Sequence, residues 1–90
     1  MKVRVEDTPN PEAMKFTVGR VLTPDGKPRS YADAEAAAGD ALAAALFALP
    51  GVANVMYVSD FVTVNKKKSA KWKALTPRVK AVLQERLAGA

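Results

Sequence analysis

Proline placement constrains this chain more than any other feature of its sequence. The 90 residues contain six prolines, and five of them sit in three breaks: Thr8-Pro9-Asn10-Pro11, Thr23-Pro24-Asp25-Gly26-Lys27-Pro28 and Pro50-Gly51. Each proline fixes φ and lacks a backbone donor, so neither a helix nor a central strand runs through these stretches. Before the first break, Val3 and Val5 alternate with charged residues; after it, Met14, Phe16 and Val18 alternate with Lys15 and Thr17. Both segments read as half-buried strands, joined by a rigid turn into an antiparallel pair.

Residues 23–28 read as an exposed loop. Ser30 followed by Asp33 resembles a helix start, and Ala34, Ala37, Ala38, Ala41, Leu42, Ala45, Leu46 and Leu49 then recur at helical spacing until Pro50-Gly51. Val52–Val58 and Phe61–Asn65 are β-branched and aromatic runs around Ser59-Asp60, which reads as a hairpin. Ser69 caps a first turn carrying Trp72 and Leu75, and Thr76-Pro77 reads as a second N-cap followed by proline at the first helical position. Val79, Val82, Leu83 and Leu87 supply the stripe of the last helix. The expected architecture is α+β: a single two-layer ββαββα domain over residues 1–90, with an antiparallel four-stranded sheet and two helices on one face.

The composition excludes several chemistries. Cysteine and histidine are both absent, which removes disulfides, thiolate nucleophiles, Ser-His-Asp catalysis and the usual zinc and iron–sulfur ligands. Ser30, Ser59 and Ser69 have no base beyond lysine. Asp7, Glu12, Asp25, Asp33, Glu35, Asp40 and Asp60 lie mostly at turns or helix starts, where short acids cap backbone N–H groups. The five glycines form neither a GxGxxG nor a P-loop pattern. No catalytic, metal-ligating or cofactor-binding residue is expected, and the chain is not expected to be an enzyme. The opening Met1-Lys2-Val3-Arg4 lacks the apolar run of a secretion signal, and no segment is long enough to span a bilayer, so the expected location is the cytoplasm.

The net charge of +5 is uneven. Residues 66–86 carry eight cations against Glu85 alone, a local +7, which leaves −2 for the rest. Lys66, Lys67, Lys68, Lys71 and Lys73 beside Trp72 suggest either a solvated basic rim or a phosphate-contacting surface with one stacking ring. Trp72 falls in register with Leu75, Val79 and Val82, which favours packing. Pairing across Ser59-Asp60 sets Val55, Tyr57, Val62 and Val64 on one face, the expected core, and Met56, Val58 and Phe61 on the other. These three, rimmed by Lys2, Arg4 and Lys15, form a candidate surface for a protein partner.

Thr8-Pro9-Asn10-Pro11, Met14-Lys15-Phe16, Leu46-Phe47-Ala48-Leu49-Pro50-Gly51-Val52, Asp60-Phe61-Val62-Thr63-Val64, and then Trp72, Leu75 and Pro77 together resemble the Nfu/NifU N-terminal domain, from about residue 3 to residue 87. The resemblance implies a module found ahead of a domain that holds an iron–sulfur cluster through a Cys-x-x-Cys pair, here in a stand-alone version without that domain. It implies partner contacts or stability as the module's contribution, with a scaffold or client apoprotein as the partner and no catalytic residues. The chain departs from the family's common Ser-Pro-Leu-Ala helix opening, with Gly39-Asp40-Ala41-Leu42-Ala43 in its place. The expected function is therefore a non-catalytic interaction module of iron–sulfur cluster assembly. The alternative is a small nucleic-acid-binding domain using the lysine-rich C-terminal third.

Overall fold

The computed structural model describes residues 3–88. In chain order the elements are β1 (Arg4–Asp7), β2 (Ala13–Thr17), β3 (Arg29–Tyr31), α1 (Ala41–Phe47), β4 (Val52–Val58), β5 (Phe61–Lys66) and α2 (Trp72–Ala88). The strands form one antiparallel sheet in the order β1-β2-β5-β4-β3.

The turn between β1 and β2 is closed by its own polar groups. The Thr8 hydroxyl lies 2.8 Å from the Asn10 carbonyl and 3.0 Å from that of Ala13, and the Asn10 side chain accepts from the Glu12 N–H at 2.9 Å. The two prolines need no donors there. The second hairpin has the expected register, with Val58 opposite Phe61, Tyr57 opposite Val62, Met56 opposite Thr63 and Val55 opposite Val64. Its connection bends at Ser59, whose φ of 52° is left-handed.

Phe16, Val55, Val62 and Val64 from the sheet and Val18 just beyond β2, with Leu46 of α1 and Val79 and Leu83 of α2, are almost fully buried in one core cluster. Both helices therefore cover the same sheet face. Each such side chain contributes about 1.5–3 kcal/mol through apolar burial.

Three expectations are corrected. The sheet has five strands, not four: Arg29–Tyr31, expected as loop and helix start, pairs with β4 as an edge strand. The first helix begins at Ala41, not near Ser30. Asp33 caps only one turn, accepting from the Ala36 N–H at 2.8 Å, and the chain then breaks at Gly39-Asp40. Asp40 takes an extended conformation (φ −120°, ψ 110°) and caps α1 itself, accepting from the Ala43 N–H at 3.0 Å. Finally, Thr76-Pro77 does not start a new helix. Pro77 lies inside the continuous α2, where the buried stripe of Leu75, Val79 and Leu83 outweighs the single missing bond to residue 73.

Candidate functional site

The strand register assembles a second surface on the side of the sheet away from the helices. One row runs Glu6, Lys15, Thr63, Met56, Ser30; the next runs Arg4, Thr17, Phe61, Val58. Met56, Val58 and Phe61 thus share the open face with Arg4 and Lys15, while Val55, Tyr57, Val62 and Val64 lie in the core. Lys2 lies outside the described residues.

Met56, Val58, Phe61 and Lys15 are half-buried and Arg4 is exposed. The Lys15 ammonium sits 4.4 Å from the centroid of the Phe61 ring, a diagonal cross-strand contact in which the ring's negative face meets a cation. Phe61 is accordingly half-buried, with Lys15 over its ring, rather than freely exposed. Arg4 pairs with Glu6 across 3.8 Å, a surface ion pair of little energetic weight. The face is an apolar strip from β4 and β5 with a charged margin of Arg4, Glu6 and Lys15 from β1 and β2.

Sequence reasoning passed over Val21. It is 61% exposed and belongs to a loop pinned to the turn between β4 and β5: the N–H of Leu22 donates to the Ser59 carbonyl at 2.6 Å, and the buried Thr23 hydroxyl accepts from the Ser59 N–H at 2.7 Å. Val21 is thus an exposed apolar residue in a constrained loop. No periodicity in residues 19–28 announces it.

The lysines form a separate region. Lys67, Lys68, Lys71 and Lys73 are exposed and Lys66 is half-buried. Trp72 is half-buried and packed rather than freely presented: its ring lies 6.4 Å from that of Phe16, and its indole N–H donates to the Pro11 carbonyl at 3.0 Å. The ring ties the start of α2 to the turn between β1 and β2.

A third constellation is partly buried. Asp40 accepts from the Tyr31 hydroxyl at 2.8 Å and the Tyr57 hydroxyl at 3.2 Å while capping α1, and the two rings meet edge-on at 5.8 Å. Burial, reinforced by the Asp40 charge, pushes the Tyr57 phenol far above its ordinary range; burial and the bond to Asp40 also raise Tyr31. Neither phenol is poised to ionise near neutral pH, so the cluster is a structural tie among β3, β4 and α1. Among the described residues, no group of three histidine, cysteine, aspartate or glutamate side chains is placed to hold a metal ion, and no helix is long and apolar enough to cross a membrane.

Known proteins share this arrangement. The family described as scaffold protein Nfu/NifU N terminal matches residues 3–89. The chain is 35% identical over 85 residues to the NFU1 iron-sulfur cluster scaffold homolog, mitochondrial, of Drosophila ananassae, covering 94% of this chain and 30% of that protein. It is 36% identical to the same-named protein of Drosophila willistoni, covering 94% and 29%. The chain thus spans less than a third of these relatives. Among solved structures, the NifU-like protein from Saccharomyces cerevisiae superposes with a TM-score of 0.88 at 26% identity, over 99% of this chain and 80% of that one. Protein SAV1430 from Staphylococcus aureus superposes with a TM-score of 0.80 at 28% identity, over 91% and 98%. The mitochondrial names of the fly relatives overturn the expected cytoplasmic location. With its motifs, its fold and a family match along nearly its whole length, the chain belongs to the Nfu/NifU N-terminal domain family.

Proposed function

We propose that this chain is a non-catalytic interaction module of iron–sulfur cluster assembly, residues 1–90 acting as one unit, and that it contacts a scaffold or client apoprotein through the open face of its sheet. The observation that carries this reading is the gathering of Met56, Val58 and Phe61, with Lys15 and Arg4, on the face the helices leave uncovered. Apolar contact there supplies affinity and the cations steer an acidic partner. The pathway comes from the family and from relatives named as iron-sulfur cluster scaffolds. The lack of cysteine and histidine argues that any cluster is held by the partner.

The alternative, nucleic-acid binding through the lysine-rich third, has no specific support, since its one candidate stacking ring is engaged by Phe16 and Pro11. Capture of binding proteins from the native cell by the tagged chain tests the reading. Enrichment of cluster scaffolds or their client apoproteins supports it; enrichment of nucleic acid or of unrelated proteins alone counts against it.

A further inference from the structure

A cleft of about 200 Å³ opens on the helix layer, lined by Pro50, Ala70, Lys71, Ala74, Leu75 and Arg78. Lys71, Ala74, Leu75 and Arg78 follow the i, i+3, i+4, i+7 spacing, which places them along one side of the chain entering and forming α2. Leu75 forms the buried floor, Ala70 and Ala74 leave the middle low, and the exposed Lys71 and Arg78 stand at either end. Lys67, Lys68 and Lys73 add three more exposed cations nearby in sequence. Among the described residues none of these five cations forms an ion pair.

The walls of the cleft are fixed before anything binds. The Lys67 N–H donates to the Gly51 carbonyl at 2.7 Å, and the Ala70 N–H to the Lys67 carbonyl at 3.0 Å. Gly51 has φ +99°, and a Cβ there would lie 2.6 Å from the Ala70 Cβ. The turn after α1 and the basic segment before α2 are thus in backbone-level contact, so the ordering cost of binding falls on the Lys71 and Arg78 side chains rather than on the backbone.

We infer that this cleft is a docking site for an acidic polypeptide segment that places one aliphatic side chain over Ala74 and Leu75, with carboxylates flanking it toward Lys71 and Arg78. Charge complementarity selects the occupant: unpaired cations bracket an apolar floor, and a chain alternating acid and aliphatic residues matches that order. A nucleic acid meets the cations but leaves the apolar floor without a partner, and the nearby tryptophan is half-buried beside Phe16 with its indole N–H held by Pro11. This site lies on the helix layer and does not depend on the role proposed for the open face.

The test is fluorescence anisotropy of the full chain with a labelled Asp/Glu-rich peptide carrying one central leucine, beside the same peptide with serine for leucine and a single-stranded DNA. The leucine peptide is expected to bind tightest. The serine peptide should lose several-fold in affinity. The Lys71→Glu/Arg78→Glu variant should lose at least about tenfold, as removal of close charge pairs does at other interfaces. Lys71→Gln/Arg78→Gln provides a milder variant if the reversal unfolds the chain, and Phe61→Ser should bind the peptide as the unaltered chain does. Equal affinity for the leucine and serine peptides, tighter binding of the DNA, or undiminished binding by the charge variants would overturn the inference.

Discussion

Removing the carboxylate of Asp40 should disconnect three elements at once. It accepts from the Ala43 N–H at 3.0 Å, Tyr31 at 2.8 Å and Tyr57 at 3.2 Å. Loss of an N-cap costs about 1 kcal/mol. Tyr57 is only 4% exposed, so its hydroxyl would be left buried without an acceptor, at about 1–3 kcal/mol. Tyr31 is half-buried, and water replaces its lost partner at little cost. Asp40→Ala should therefore destabilise by about 3 kcal/mol, a large share of the roughly 5–13 kcal/mol expected for a domain this size. Tyr57→Phe removes one hydrogen bond to a charged acceptor and no packing volume, at about 1.5 kcal/mol. In the Tyr57→Phe background Asp40→Ala should cost about 1–2 kcal/mol less, because no hydroxyl is stranded. Urea titration followed by tryptophan fluorescence measures all four corners of this cycle. Strict additivity would refute the coupling. The same cluster fixes a pH dependence. A phenol whose folded pKa is raised stabilises fully below its unfolded value of 10.0 and loses that stabilisation as pH climbs above it, because the unfolded chain releases the proton first. Stability should thus fall above pH 10, less steeply in Tyr57→Phe.

Trp72→Ala should cost about 3 kcal/mol, the low end for a large aromatic because the ring is half-buried; an unchanged urea midpoint, followed by circular dichroism because the variant has no tryptophan, would show that its contacts with Phe16 and Pro11 carry no weight. Gly51→Ala combines a positive φ with a 2.6 Å approach to Ala70 and should destabilise by more than about 1 kcal/mol, whereas Gly26→Ala, with open space around the site, should cost less; equal losses would show that backbone strain alone decides. Anaerobic incubation with iron and sulfide should leave the desalted chain without charge-transfer absorption, since it has neither cysteine nor histidine; a stable stoichiometric chromophore would contradict this.

The second hairpin was legible because the side-chain period of a strand is two: once Ser59-Asp60 is taken as the turn, Tyr57 must oppose Val62 and Phe61 must lie on the other face. β3 was not legible. Arg29-Ser30-Tyr31 is too short to show alternation, and Tyr31 earns its place through Asp40, nine residues away, and the ring of Tyr57. The same long-range contacts explain the late start of α1: alanine periodicity runs on through residues 34–38, but two remote hydroxyls hold Asp40 in the cap conformation. The Pro77 signal was real locally and was overridden by tertiary burial of Leu75 and Val79. The open-face residues followed from parity. Val21 and the cleft beside Ala74 depend on how distant segments meet, which no local pattern encodes.

The open face as a partner surface is tested most directly by Phe61→Ser. The ring is half-buried with Lys15 over it, so the substitution should cost about 1–2 kcal/mol, roughly half of a full aromatic burial plus the cation contact, and leave the chain folded. Capture of the partner recovered with the unaltered chain should fall sharply, while far-ultraviolet circular dichroism stays in place and the urea midpoint drops only modestly. Undiminished capture by a folded Phe61→Ser chain would contradict the account.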